Sequence, residues 1–287
     1  MNEQFTTVDR EVIYKEQAVL RNELLSLKNC QITFLTYTVT GSGVLLGLAV
    51  TLGGSNTAPF PMLGAFYLIP LTIILPFWWI FFDKATTITR IVGYYRILEA
   101  IVASRSKGIP FWGWETALAA FRKDYGTPIN TNVMGYEKYL SEVFKLLILQ
   151  SPQKYWTLAY YTFASLALLA FFTCFVSLRQ EISQFEIVIT LVILVVGFVM
   201  GFLRVWLIRI GVALCLIGFG GISAHFLSNP PSRLSVILLM VAAFIVGISL
   251  SRNFVMVWRL SWGEYSYDAT HRIWKRVLAQ ELDDEIS

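Results

Sequence analysis

The stretch "ITFLTYTVTGSGVLLGLAVTL", residues 32–52, carries no charged side chain from one end to the other. About twenty apolar residues in a row are enough for a helix to cross the hydrocarbon core of a bilayer. Charged residues make up only 15% of the 287-residue chain, whereas soluble proteins carry about 25%. The stretch and the composition together predict an all-α, polytopic membrane protein.

Five further segments have the same apolar character. The second span is expected over residues 62–82, after a short turn rich in glycine and proline, so that it forms a hairpin with the first. The others are expected at residues 155–178, 187–203, 210–227 and 234–251. We therefore predict about six transmembrane helices in a two-plus-four arrangement. Within the second span, Pro70 and Pro76 interrupt the hydrogen-bond ladder, which indicates either a static kink or a hinge.

Polar segments separate these spans and divide the chain into five parts. These are an amphipathic helix (1–30), a transmembrane hairpin (31–82), a helical insert (83–154), a four-helix transmembrane region (155–251) and a C-terminal helix and tail (252–287). Of the 23 Lys and Arg residues, only Arg179 and Arg233 fall in loops on the side opposite the N-terminus. Because basic residues accumulate on the cytoplasmic side, we expect a multi-pass protein of the inner (plasma) membrane, with both termini and the insert in the cytoplasm.

The insert contains an aromatic turn, "KGIPFWGWET", residues 107–116. Pro110 and the flanking glycines end the preceding helix, and Phe111, Trp112 and Trp114 follow. We expect these three rings to anchor the insert by folding back on the apolar stripe of that helix. Two alternatives stay open: the rings enter the headgroup layer, where Trp is favoured, or they form a site for a ligand or partner.

Small residues four positions apart occur in three of the predicted spans. Such pairs let helix backbones approach closely, either within one chain or between subunits, and both interpretations stay open. The candidate helix-packing or oligomer contacts are Gly43, Gly47, Gly197, Gly201, Ala243 and Gly247.

Charged residues at two places invite a functional interpretation. Arg204 and Arg209 bracket a tight turn between two short spans, so we interpret them as interface charges, with an ion pathway as the alternative. Glu264, Asp268 and His271 have the spacing of one helical face. A solvated face is expected there, and a metal site is the alternative.

Catalytic and binding motifs are absent from the sequence. There is no nucleophile elbow, phosphate-binding loop or zinc-protease motif, so we expect no catalytic, cofactor-binding or metal-binding residues, no cofactor and no enzyme. A net charge of +4 without a basic stripe argues against nucleic-acid binding. The expected partners are the lipid bilayer and either further copies of the chain or a cytoplasmic protein.

The first third of the chain resembles known membrane proteins in its layout. It combines the charged helix "YKEQAVLRNELLSL" (residues 14–27), a two-helix hairpin, the helix "RIVGYYRILEAIVASR" (residues 90–105) and a Gly-Trp-Glu turn. This layout is similar to that of uncharacterised bacterial integral membrane proteins and, more loosely, of two-span SLATT-type defence effectors. The second resemblance implies pore formation, although the four additional spans depart from that plan.

Two classes of function follow from these observations. The first is a non-catalytic membrane scaffold or complex subunit that docks a partner through its cytoplasmic helices. The alternative is an oligomeric channel or pore, for example a stress or defence effector, lined by hydroxyl groups of the first span. Those hydroxyls belong to Thr33, Thr36, Thr38, Thr40 and Ser42. The sequence favours the scaffold, because the spans offer no ring of charged residues to select ions.

Overall fold

The computed structural model describes residues 7–54, 63–105, 153–179, 182–201 and 232–286. Over these residues the chain is helical and contains no β-strand, which confirms the predicted all-α class. The α-helices are α1 (Thr7–Gly54), α2 (Leu71–Arg105), α3 (Lys154–Ser177), α4 (Gln184–Met200), α5 (Ser232–Ser261) and α6 (Tyr267–Ile286), and a 3-10 helix at Leu63–Leu68 precedes α2.

Four of the described helical segments are long and apolar enough to cross a membrane. They are Glu11–Thr51, Ala65–Val102, Lys154–Ser177 and Ser235–Ser261. The apolar helix α4 has 17 residues, or about 25 Å at 1.5 Å per residue, which is shorter than a hydrocarbon core of about 30 Å. The expected span at 210–227 lies outside the described residues, so the count of six spans remains a prediction.

At two places, elements that were predicted as separate are joined in a single helix. The expected amphipathic helix (1–30) and the expected first span form one helix, the uninterrupted 48-residue α1 from Thr7 to Gly54. No glycine or proline occurs between Thr7 and Thr40, so nothing in the sequence ends the helix where the side chains change from polar to apolar. The end of the second span and the expected helix at residues 90–105 are likewise continuous in α2.

The second span begins differently from the prediction. Instead of an α-helix from residue 62, the chain forms the 3-10 helix and a turn, and α2 starts at Leu71. Pro70 explains this start, because it disfavours a helical conformation at the preceding residue and fits the first turn of a helix. Its carbonyl oxygen accepts hydrogen bonds from the amides of Ile73 and Ile74. Pro76 lies inside α2, which continues past it.

Contacts between Cα atoms divide the chain into two compact units. The polar unit comprises Met1–Thr33, Phe82–Thr157 and Val257–Ser287, and the apolar unit comprises Phe34–Phe81 and Leu158–Met256. Helices α1, α2, α3 and α5 contribute residues to both units. In the parts of α1, α2 and α5 that belong to the apolar unit, the only Asp, Glu, Lys, Arg or His residues are Arg233, at the start of α5, and Arg252, near its end.

The core of the apolar unit joins α2, α3 and α5. Trp78 is fully buried and stacks on Phe163, with ring centroids 5.9 Å apart, and the Tyr160 hydroxyl donates to the Leu250 carbonyl at 3.0 Å. A second buried cluster continues the core: Phe171, Cys174, Leu178, Ile182, Val236, Leu239, Met240 and Ala243. Outside this core, large apolar side chains such as Val176 and Phe185 are exposed, which suits contact with hydrocarbon.

Candidate functional site

In the polar unit, side chains of α6 bond directly to the main chain of α2. The Thr270 hydroxyl donates to the Thr89 carbonyl at 3.0 Å, and the Trp274 indole N–H donates to the Arg90 carbonyl at 3.1 Å. Bonds of this kind fix one helix against a specific turn of another, because each main-chain oxygen has a single position along the helix. The start of α6 is therefore held in one register on α2.

A glycine in α2 makes this close approach possible. A Cβ atom at Gly93 would lie 2.7 Å from the Thr270 hydroxyl oxygen and 3.0 Å from the His271 main-chain nitrogen. His271 Nδ1 lies 3.3 Å from the Gly93 carbonyl oxygen. Burial lowers the pKa of His271, and the neighbouring cations Arg96 and Lys275 lower it further, while the Gly93 carbonyl and Asp268 act in the opposite direction. Position 93 thus belongs to a tightly packed contact.

Charged groups add to the attachment of α6. Arg96 Nη1 lies 2.8 Å from Asp268 Oδ1, and only 14% of the arginine side chain is exposed. The Arg90 guanidinium lies 5.9 Å from the centre of the Tyr265 ring, a cation–π distance. Because Arg96 is largely shielded from water, its ion pair is stronger than a typical pair on the surface.

Helix α1 joins the same contact through one tyrosine. The Tyr94 hydroxyl of α2 donates to Glu16 Oε1 of α1 at 2.8 Å, and its ring lies 5.0 Å from the Trp274 ring of α6. Tyr94 therefore touches both neighbouring helices. We call this arrangement of α1, α2 and α6 the three-helix junction.

A groove of about 500 Å³ lies between α1 and α2 in the polar unit. Leu20, Leu24 and Leu25 of α1 and Val92 and Tyr95 of α2 give it an apolar lining. Two cations of α1, Arg21 and Lys28, complete the lining, and neither forms an ion pair with a described residue. The groove combines apolar surface with positive charge that none of the described residues compensates.

Four of the predicted small-residue positions lie between α4 and α5 in the apolar unit. A Cβ atom at Gly197 would lie 2.5 Å from the Phe244 carbonyl oxygen, and one at Gly247 would overlap the Leu194 carbonyl oxygen. Gly201 lies against the Ser251 side chain in the same way. Ala243, which is fully buried, completes the four.

The other two small residues are in a different environment. A Cβ atom at Gly43 or Gly47 of α1 would meet nothing within 4 Å. The remaining predicted site residues lie outside the described residues, and they are Phe111, Trp112, Trp114, Arg204 and Arg209.

The predicted common face of Glu264, Asp268 and His271 does not form. Glu264 lies in the turn before α6 rather than on the helix, and its carboxylate pairs with Arg259 at 3.4 Å. Asp268 and His271 contact α2 instead of forming a solvated face. Among the described residues, no three His, Cys, Asp or Glu side chains come together as metal ligands.

The three-helix junction itself was not predicted from the sequence. Its members Thr89, Tyr94, Thr270 and Trp274 form no recognisable motif. Gly93 gives the only usable signal, because a glycine in the middle of a helix costs about 1 kcal/mol relative to alanine and is kept where a backbone approaches closely. No protein-family model, characterised protein or solved structure matches this chain.

Proposed function

We propose that the protein is a non-catalytic integral membrane scaffold, or complex subunit, that docks a partner protein through its cytoplasmic helices. The observation that carries the proposal is the three-helix junction. Hydrogen bonds from Thr270 and Trp274 and the Arg96–Asp268 ion pair hold α6 in a single orientation on α2. A surface that is already rigid loses little conformational entropy when a partner binds, which is the property that a docking platform requires.

The outward face of α6 is the proposed docking surface. Arg272 and Arg276 are exposed at its middle, with Lys275 at one edge and Ile273, which is 47% exposed, at the other. Protein interfaces combine apolar contacts with polar and charged residues in this way. The three cations favour a partner with an acidic surface, because complementary charge raises the association rate and suppresses other partners.

The hydroxyl groups of the first span support the scaffold over the pore. Thr38 Oγ1 donates to the Phe34 carbonyl at 2.7 Å, and Thr40 Oγ1 donates to the Thr36 carbonyl at 2.8 Å. The Ser42 hydroxyl bonds to the Thr38 carbonyl. The donor of each of these three hydroxyls is satisfied within its own helix, so none of them requires water to accept its proton.

Site-specific cross-linking in intact cells tests the docking surface. A photoreactive residue at position 273 is expected to give one discrete adduct with a protein of acidic surface, identified by mass spectrometry. The adduct should disappear in the Arg272→Glu, Lys275→Glu, Arg276→Glu variant and persist in Lys15→Glu, a charge reversal at an exposed site on α1. The same adduct in both variants would contradict the proposed surface.

A flux measurement tests the alternative of a pore. Purified protein in liposomes with a trapped dye is expected to leave the vesicles tight. Dye release that scales with protein content, and stops when Gly43 and Gly47 are both changed to leucine, would replace the scaffold with an oligomeric channel.

A further inference from the structure

An exposed stripe runs along the first half of α1. Tyr14, Ala18, Arg21, Leu25 and Lys28 follow one another at intervals of four and three residues, and Ile32 continues the series. Residues at this spacing share one side of a helix. All six are exposed, with Tyr14, Leu25 and Ile32 about half exposed or more at 53%, 49% and 56%. This heptad pattern matches the seam along which a second helix packs.

The middle of the stripe, Arg21, Leu25 and Lys28, lines the groove between α1 and α2. Val92 and Tyr95 of α2 face it across the groove. Its cations, Arg21 and Lys28, are two helical turns apart, or about 10 Å along the axis. An occupant must therefore present apolar side chains together with carboxylates spread over more than one turn.

Distances along α1 exclude a bilayer lipid as the main occupant. Lys28 lies about 6 Å, and Arg21 about 16 Å, from Ile32, where the uncharged run begins. The headgroup layer on each side of a bilayer is about 5–8 Å thick. A phospholipid phosphate therefore reaches Lys28 and leaves Arg21 without a counter-charge. Two copies of the stripe placed face to face would also bring cation against cation, which is repulsive.

The chain itself supplies a segment with the required chemistry. The sequence "QELDDEIS", residues 280–287, contains four carboxylates and two apolar residues, Leu282 and Ile286, which are four positions apart. Helix α6 extends to Ile286 and has no basic residue in its last turn. Negative charge is unfavourable at the C-terminal end of a helix, so a cationic partner stabilises this segment.

We propose that the groove on α1 binds the acidic end of α6 from a second copy of the chain. Within one copy, the start of α6 is fixed to α2 by Thr270 and Trp274, and none of the α6 side chains described, residues 267–277, lines the groove. Tyr94 contacts both Glu16 of α1 and Trp274 of α6, so α1's first half and α6 lie on the same side of the bilayer in every copy. The resulting contact is heterologous, and it closes into a ring or continues as a row. This inference holds for a scaffold and for a pore alike.

A charge exchange within the full-length protein tests the contact. The measurement is the mass of the detergent-solubilised protein as a function of concentration. The wild type is expected to self-associate. Reversal of the groove (Arg21→Glu with Lys28→Glu) or of the helix end (Glu281→Lys with Glu285→Lys) is expected to weaken self-association about tenfold or more, because two attractive pairs become repulsive.

The chain that carries all four substitutions is expected to self-associate again, because each reversed groove then meets a reversed helix end. This recovery separates a lost contact from a misfolded variant. Lys15→Glu serves as the control, since it reverses an exposed cation outside the groove, and it should associate like the wild type. A monomeric wild type, or undiminished association of both charge-reversed chains, would overturn the proposal. A monomeric four-substitution chain would also overturn it and assign the groove to a different acidic partner.

Discussion

The Thr270 hydroxyl of α6 occupies the space that a side chain at Gly93 of α2 would need. A methyl group at position 93 would lie 2.7 Å from the threonine hydroxyl oxygen. The main-chain nitrogen of His271 is only 3.0 Å from the same point, so a side-chain rotation at Thr270 does not remove the conflict. The attachment of α6 therefore depends on the absence of a side chain at one position of α2.

The first prediction concerns this glycine. Gly93→Ala gains up to about 1 kcal/mol in helix propensity but forces overlap that costs roughly 1–3 kcal/mol, so a net loss of about 1 kcal/mol in α6 attachment is expected. Faster trypsin cleavage after Arg272, Lys275 and Arg276 measures the release of α6. Gly43→Ala is the matched control, because nothing lies within 4 Å of its Cβ position, and it should leave cleavage unchanged. Equal cleavage rates in the two variants would refute the packing account.

The second prediction concerns the ion pair between Arg96 and Asp268. A double-mutant cycle of Arg96→Gln and Asp268→Asn is expected to give a coupling free energy of about 0.5–1.5 kcal/mol for thermal unfolding. The arginine is largely buried, but 43% of the aspartate side chain is exposed, which keeps the coupling below that of a fully buried pair. The pair Lys15 and Glu11 is exposed on both sides and should couple by less. A larger coupling free energy in the exposed pair would show that burial does not determine the strength of these ion pairs.

The third prediction concerns pH. Burial lowers the pKa of His271 from its ordinary value of 6.5, so the unfolded chain takes up a proton at a higher pH than the packed one does. The unfolded state then binds more protons as the pH falls through about 6.5 and below, and the stability of the polar unit decreases. Melting temperatures between about pH 8 and pH 5.5 should show this decrease. His271→Gln should flatten the profile, and an unchanged slope would assign the effect to other groups.

The fourth prediction concerns α4 and α5. Gly197→Ala and Gly247→Ala each place a methyl group against a main-chain oxygen of the opposite helix, so either is expected to destabilise the apolar unit by roughly 1–3 kcal/mol. Thermal unfolding in detergent measures the loss. Gly47→Ala provides the comparison on α1, where the space is open. If all three variants have the same melting temperature, α4 and α5 do not pack through these glycines in detergent solution.

Hydropathy was sufficient to predict the helical class and four membrane-length segments. Long uncharged runs such as residues 32–52 have few stable environments other than the hydrocarbon core of a bilayer, where the backbone must form a helix. It could not show that the amphipathic helix and the first span are one helix. A change from polar to apolar side chains looks the same in the sequence whether the helix continues through it or ends there. The start of α2 at Leu71 was missed because Pro70 was interpreted as a kink within a span rather than as its beginning.

The three-helix junction was not predictable for a different reason. Thr270 and Trp274 bond to carbonyl oxygens of α2, and a carbonyl group is present at every residue, so the acceptor leaves no mark in the sequence. The spacing of Glu264, Asp268 and His271 misled because helical spacing has meaning only where a helix exists, and Glu264 precedes α6.

The continuity of α1 has a mechanical consequence. Its 48 residues extend for about 70 Å at 1.5 Å per residue, more than twice the thickness of a hydrocarbon core. With no glycine or proline before Gly41, the helix acts as a stiff lever over this length: a force that tilts or rotates its first turns is transmitted as far as Thr40. Spin labels at Lys15 and Thr40 should therefore reorient together, and two glycines in place of Asn29 and Cys30 should uncouple them.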